Sequence, residues 1–451
     1  MTEKLGFGEK FGYGLGDMAA NFIFQAVLAL QLDFYTHTFG LTAAQAGTLF
    51  LVVGLGVACL NPVMGAIADR TRTRMGKFRP WLLWTALPFG VFGMLTFTTP
   101  SLSPAGKLAY AWTTYALLRI VYVANNVPYA SLTAVMTSDP DERTSIASYR
   151  QILANSAGFI VQSLAIPMVA FFGHGNDARG YQLTMGLLLT LSVLFFLIAY
   201  ASTHERIQPD ARQKTSLRQD LADLIGNRPG VVLFLTTLFY FTAIAMRGNA
   251  MLPYFRYVAG QVSRFAWFNG FGLAALIAGV ACSTAVSLRV GKRALFLASM
   301  FLSGLFTAAF MLIPARAVLM MTGVEVLRQF CFGLSGPILW AMIGDVADYG
   351  EWKTGRRASG TVTSAVVFAL WAGISQGTAI AGWLLSFYGL ASEAAVQSTR
   401  AQNGILLTAS LYAGLAFFAA AACLVFYPIN REVNQQIAVE LAERRKGFAR
   451  P

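Results

Sequence analysis

The chain is short of charge. Only 12% of its 451 residues are Asp, Glu, Lys or Arg, about half the share of an ordinary soluble protein. That excludes a solvated globular chain of this length, and a mean hydropathy of +0.56 agrees. The only histidines are His37, His174 and His204, too scattered for a metal site. The four cysteines, Cys59, Cys282, Cys331 and Cys423, sit singly in apolar runs. No pair has metal-ligand spacing, and small buried hydrophobes are the expected role. No phosphate loop or nucleophile–base pair stands out, so neither enzymatic activity nor a cofactor or metal is expected. The start, MTEKLGFGEKFGYG, leads into an apolar run too long for the h-region of a cleavable signal. The net charge of +13 would suit nucleic acid only if the basic residues clustered. They fall instead between apolar runs.

Those runs dominate the chain. Stretches long enough to cross a bilayer lie near 12–37, 43–67, 80–99, 108–135, 144–172 and 181–202, and again near 230–256, 264–288, 294–313, 317–344, 359–385 and 403–428. The expected fold class is therefore an all-α membrane protein of twelve transmembrane helices. It divides into an N-terminal six-helix bundle (1–202), a polar middle loop (203–229), a C-terminal six-helix bundle (230–430) and a tail (431–451). Of the 34 Lys and Arg, 24 fall on the side of the N-terminus and six on the other. By the positive-inside rule both termini are cytoplasmic, in a multi-pass protein of the cytoplasmic (inner) membrane. The tail segment REVNQQIAVELAERRKGF reads as a short, solvated surface helix.

The remaining four basic residues, Arg119, Arg150, Arg247 and Arg328, lie within spans. Leu118-Arg119 is followed nine residues later by Pro128, and Leu327-Arg328 nine residues later by Pro337. Each Arg is about eleven residues into its run, roughly 16 Å at 1.5 Å per residue, near the middle of a ~30 Å hydrocarbon core. A charge at that depth implies a polar interior and marks a functional site. Its recurrence suggests a duplicated domain with its site at the midplane. The acidic residues within spans are Asp17, Asp33 and Glu325. Glu325 and Arg328, three apart on one helix face, are expected to pair, and Asp17 to pair with Arg119 or Arg150. Arg247 has no partner on its own helix. Asp33, near the outer boundary, is expected to be solvated.

Several segments resemble one family. NPVMGAIADRTRTRMGKFRPW resembles the basic cytoplasmic loop of the major facilitator superfamily. More narrowly, NNVPYASLTAVMTSDPDERTSIASYRQ and DVADYGEWKTGRRASG resemble the glycoside–pentoside–hexuronide:cation symporters, relatives of the melibiose carrier. FGYGLGDMAANFIFQ, FYTHTFGL and AGWLLSFYGL fit the same pattern, and the resemblance covers nearly the whole chain. It implies a major facilitator fold of two six-helix bundles, a sugar-like solute and alternating access. The charged junctions at Asp69, Arg70, Arg72, Arg74, Lys77 and Arg79, and at Asp345, Asp348, Glu351, Lys353, Arg356 and Arg357, would then steady a closed state. A topology anchor or solvated loop is the competing role.

The chain also departs from that family. Val57, Asn61 and Asn126 stand where the melibiose carrier holds sodium with carboxylates. Asn21 replaces the first-span sugar-binding acid, Trp371 replaces the span-eleven Lys, and Arg150 is kept. Without those carboxylates sodium loses most of its attraction, so a proton is the expected coupling ion, with Asp17 or Glu325 as carrier. An uncoupled facilitator is the alternative. The expected solute contacts are Asn21, Gln25, Arg119, Asn126, Arg150, Arg247, Arg328 and Trp371, with Tyr122, Asn125, Tyr149, Asn269, Trp340 and Gln376 as further polar or aromatic members. Helix–helix hydrogen bonding or packing competes for each. Four Arg against three acids leave the cavity neutral to positive, which suits an anionic uronide. A neutral glycoside requires Arg247 to be satisfied by a carbonyl, water or an acid on another helix. A lysolipid or other amphiphile carried by the same fold is the runner-up. The expected partners are a small solute and the bilayer, with no nucleic acid, and the protein is expected to be a monomer.

Overall fold

The computed structural model describes residues 5–137, 140–206, 226–354, 359–391 and 396–448. Among these, helices follow the apolar runs closely. α1 (Phe7–Ala29) bends by 57° into Gln31–Asp33 and a π-helical turn, Phe34–Thr38. Then come α2 (Ala43–Arg70), α3 (Arg79–Thr96) and α4 (Pro104–Met136). α5 (Pro140–Phe159) continues through a π turn, Ile160–Leu164, into Ala165–Gly173, and α6 is Asp177–Ser202. The second half comprises α7 (Arg228–Pro253), α8 (Phe265–Val290), α9 (Lys292–Ala309), α10 (Val318–Thr354) and α11 (Ser359–Phe387). α12 runs from Thr399–Leu407 through a π turn, Thr408–Tyr412, to Ala413–Val425, and α13 is Arg431–Phe448.

Nine of these helices, and the bent α1 as a tenth, are long and apolar enough to cross a membrane. α3 and α4 fall short of that measure for a chemical reason. α4 carries Lys107, Arg119, Asn125, Asn126 and four tyrosines, and α3 opens on Arg79-Pro80. Both are nonetheless integral to the packing of the first half, where α3 lies against α4 and α6.

The chain divides into two compact units. The first is Met1–Arg212 with Gln261–Trp267 and Gly382–Ala401; the second is Gln213–Gly260, Phe268–Ala381 and Gln402–Pro451. Each repeats one packing scheme. In the first, α1 packs on α6, and α3 on α4 and α6; in the second, α7 packs on α12, and α9 on α10 and α12. A finer echo lies at the ends of α1 and α7. Phe34–Thr38 and Tyr254–Val258 are both π-helical, each closed by a backbone bond to its first carbonyl and followed by a glycine with positive φ, Gly40 and Gly260.

Small residues set the closest approaches. A Cβ on Gly279 of α8 would strike the Phe330 carbonyl of α10, and one on Gly333 of α10 would strike the Leu276 carbonyl of α8. Such reciprocal contact is how membrane helices gain dispersion energy without a hydrophobic drive between them. On the basic loop, Glu205 after α6 accepts from the backbone N–H groups of Lys77 (2.8 Å), Phe78 (2.7 Å) and Arg79 (2.9 Å). It thereby caps the start of α3, whose first N–H groups have no partner within the helix. The tail differs from the solvated helix expected from sequence. Ile437 and Leu441 of α13 are buried, and Trp352 Nε1 donates to Glu440 Oε2 at 2.6 Å, so α13 docks on the end of α10.

Gly279→Val and Gly333→Val should each lower stability by about 1–3 kcal/mol by overpacking. The double variant should cost little more than the worse single one, since either wedge parts the same helices. Thermal unfolding of the four proteins checks this, and fully additive losses would contradict it.

Candidate functional site

The second unit holds a buried charge cluster. Glu325 of α10 accepts from Arg247 Nη2 of α7 at 2.6 Å, and from Arg328 Nε at 3.0 Å and Nη2 at 2.5 Å. Both of its oxygens are engaged, and all three side chains are no more than 8% exposed. Arg247 Nη1 also donates to the Ala409 carbonyl at 2.6 Å, on the π turn of α12. The Phe310 ring, 4.8 Å from the guanidinium, covers it. The expected Glu325–Arg328 pair is present. Arg247, without a partner on its own helix, finds one 78 residues along the chain. The cluster carries a net charge of +1.

The first unit holds a simpler pair. Arg150 Nε of α5 donates to Asp17 Oδ2 of α1 at 2.8 Å, with the two side chains 27% and 15% exposed. The sequence left open whether Asp17 would meet Arg119 or Arg150. Beneath the pair is a tyrosine clasp that sequence reasoning missed. Tyr13 Oη donates to the Tyr129 carbonyl at 2.7 Å, and Tyr129 Oη to the Tyr13 carbonyl at 2.6 Å, with the rings stacked 4.5 Å apart. The Arg150 guanidinium lies 5.6 Å and 5.1 Å from the two ring centroids, so cation–π attraction adds to the ion pair. A Cβ on Gly16 would run into the Tyr129 ring. Two tyrosines separated by most of the first unit carry no sequence signal for this.

The other expected residues are distributed as follows. Arg119 is buried on α4, 5.4 Å from the Tyr122 ring. Asn21 Nδ2 donates to the Asp17 carbonyl, and Gln25 Oε1 accepts from Gln162 Nε2 at 2.8 Å, on the π turn of α5. Asn126 and Trp371 are half-buried, and Asn125 is buried with its amide donating to Thr85 Oγ1. Asn61 Nδ2 donates to the carbonyls of Val57 and Ala58 in its own helix, and Val57 is buried. Trp340 is exposed. Asp33 corrects the expectation of solvation: it is 1% exposed, with Tyr181 Oη donating to Oδ2 at 3.2 Å. Asp33 lies just beyond the 57° bend of α1.

Of the expected gating residues, Arg70 is exposed, and Lys77 is held through its backbone by Glu205. Asp345 accepts from Lys292 Nζ with both oxygens at 2.7 Å. The Asp69 side chain and Arg357 lie outside the described residues. Among the described residues no group of His, Cys, Asp and Glu has the arrangement of a metal site.

The two acidic centres differ in burial, and that sets a prediction. Glu325→Gln would leave two guanidiniums in low dielectric with no counter-charge, a change that costs about 3–5 kcal/mol for a buried pair. Asp17→Asn, at a partly solvated pair, should cost far less. Unfolding midpoints of the two variants in one detergent check the order, and the reverse order would contradict it.

Comparison with known proteins follows the same lines. The profile of MFS/sugar transport proteins matches residues 12–431. YagG of Escherichia coli (strain K12), a glycoside/cation symporter by name, is 35% identical over 417 residues, 91% of each chain. The isoprimeverose transporter of Lactiplantibacillus pentosus is 32% identical over 438 residues, 96% of this chain and 91% of that one. The crystal structure of a D-xylose–proton symporter superposes with a TM-score of 0.67 at 12% identity, covering 94% of this chain and 97% of that one, a likeness of fold. The chain is thus a multi-pass secondary transporter rather than an enzyme, and it belongs to the MFS/sugar transport family.

Proposed function

We propose that this transporter carries an uncharged glycoside across the cytoplasmic membrane, coupled to protons through Asp17. The observation that carries the reading is the engagement of Arg247 by an acid on another helix. Its guanidinium is used by Glu325 and the Ala409 carbonyl, and Arg328 is used by the same carboxylate. These two cations are therefore not waiting for a solute anion, as a uronide carrier would require. A sugar is recognised instead by amide and carboxylate hydrogen bonds and aromatic faces. In the first unit Asn21, Gln25 and Asn126 supply such groups, with Arg119 and Arg150 as further donors. The names of the relatives, a glycoside/cation symporter and an isoprimeverose transporter, support a sugar-type solute and cation coupling.

The choice of ion follows from the acids. A sodium ion at the Val57–Asn61 turn would meet no carboxylate, and the Asn61 amide N–H already points at carbonyls there. Glu325 has both oxygens committed to guanidiniums, so a proton could reach it only by breaking an ion pair. Asp17 engages Arg150 through Oδ2 in a less buried setting, where a conformational change can exchange Arg for proton. The basic loop and the Lys292–Asp345 bridge steady the cytoplasmic ends, both termini face the cytoplasm, and the monomer is the working unit.

Uptake of radiolabelled methyl glycosides into proteoliposomes tests this. An inward proton gradient should drive accumulation, and replacing sodium by choline should leave it unchanged. Glucuronides should compete less well than the matching glucosides. Asp17→Asn should abolish gradient-driven accumulation while sparing equilibrium exchange. Strong sodium stimulation, or preference for the glucuronide, would overturn the proposal.

A further inference from the structure

The second unit has a basic recess at the membrane boundary that the transport reading does not use. It lies where the α8–α9 turn meets the start of α13. Gly291, at φ +87°, reverses the chain there, a conformation that other residues rarely adopt. Two adjoining cavities, of about 500 and 340 Å³, share Gly291, Arg293, Asn430 and Arg431. Arg293 spends one N–H on the Val425 carbonyl (2.7 Å), and Arg431 one on the Arg289 carbonyl (3.5 Å). A guanidinium has five donors, so each retains several. Arg289 itself is exposed beside them. Lys292, by contrast, is spent on Asp345. The one carboxylate lining the larger cavity is Glu432, also exposed, against the guanidiniums of Arg293 and Arg431, and the smaller cavity adds Lys292 with its partner Asp345.

The surroundings of the recess are apolar. Leu288, Val290, Val425 and Phe426 are all exposed, on the last turn of α8 and the end of α12. In a membrane protein these side chains face acyl chains, and the arginines beside them sit at headgroup level. Guanidiniums above an acyl-facing rim match one ligand, a phosphodiester carrying two acyl chains. A soluble phosphate would find the arginines but make no use of the rim.

We propose that this recess binds the headgroup of an anionic phospholipid from the leaflet on the side of the chain termini, with Arg293 and Arg431 on the phosphate. The site joins the α8–α9 turn to the docked tail helix. Lipid composition is thereby connected to the end of α10, where Lys292–Asp345 and Trp352–Glu440 bind the same elements together.

Native mass spectrometry of the full-length protein, titrated with phosphatidylglycerol or phosphatidylcholine, tests the proposal. Phosphatidylglycerol should bind in preference, and Arg293→Gln/Arg431→Gln should weaken it roughly thirtyfold, the worth of two basic side chains near an anionic leaflet. Arg293→Lys/Arg431→Lys should keep most of the affinity. Arg179→Gln/Arg316→Gln, which removes the same charge from the opposite side, should change nothing. If the glutamine pair does not fold, Leu288→Ser/Phe426→Ser, which leaves the arginines in place, should still reduce phosphatidylglycerol binding severalfold. Unchanged binding in the glutamine pair or the serine pair would overturn the site, as would an equal loss in the opposite-side pair. Displacement of the lipid by millimolar inorganic phosphate would overturn the lipid assignment in favour of a soluble phosphate anion.

Discussion

A carboxylate held between two guanidiniums, away from water, is the constraint on which the second unit turns. Charge in a low-dielectric interior is costly unless geometry supplies an opposite charge and hydrogen bonds. Glu325 supplies the charge for both Arg247 and Arg328, and the Ala409 carbonyl accepts a second donor of Arg247, its Nη1. The arrangement fixes three helices at once: α7 through Arg247, α10 through Glu325 and Arg328, and α12 through its π turn. The Ala409 carbonyl that accepts from Arg247 lies on a π turn, a feature frequent at functional sites.

The first unit solves the same problem with fewer charges and more aromatic surface. Arg150 has one carboxylate, Asp17, and two tyrosine faces instead of a second ion pair. The tyrosines are locked to each other's backbone carbonyls, so the aromatic floor beneath Arg150 is rigid while the ion pair above it is partly solvated. Rigid support under a breakable pair is what a coupling carboxylate needs. A fully enclosed three-charge cluster is what a fixed structural joint needs. The two halves repeat one packing scheme but divide these roles between them.

The helices were legible because hydrophobic runs of bilayer length have few other readings, and the four intramembrane arginines stood out against them. The Glu325–Arg328 pair was legible because three residues on a helix place two side chains on one face. Arg247 was not, since its partner is on another helix and sequence spacing does not report contacts between helices. The same limit hid the Tyr13–Tyr129 clasp, the Gln25–Gln162 bond and the Glu205 cap on the basic loop. Asp33 misled because its depth was read along its own helix, whereas it lies beyond a 57° bend and is covered by Tyr181 from another helix. The tail misled because its polar composition concealed two apolar residues, Ile437 and Leu441, on one side of α13.

The central claim is that Arg247 and Arg328 are engaged by Glu325, and Arg150 by Asp17, within the transport domain, so that the moving charge is a proton and the solute brings none. Charge displacement recorded on a solid-supported membrane measures this directly. A jump of neutral glycoside should drive positive charge inward, with the same amplitude in sodium and in choline, and the current should vanish in Asp17→Asn. A current that requires sodium, or electroneutral movement of a glucuronide with no response to the neutral glycoside, would contradict the account.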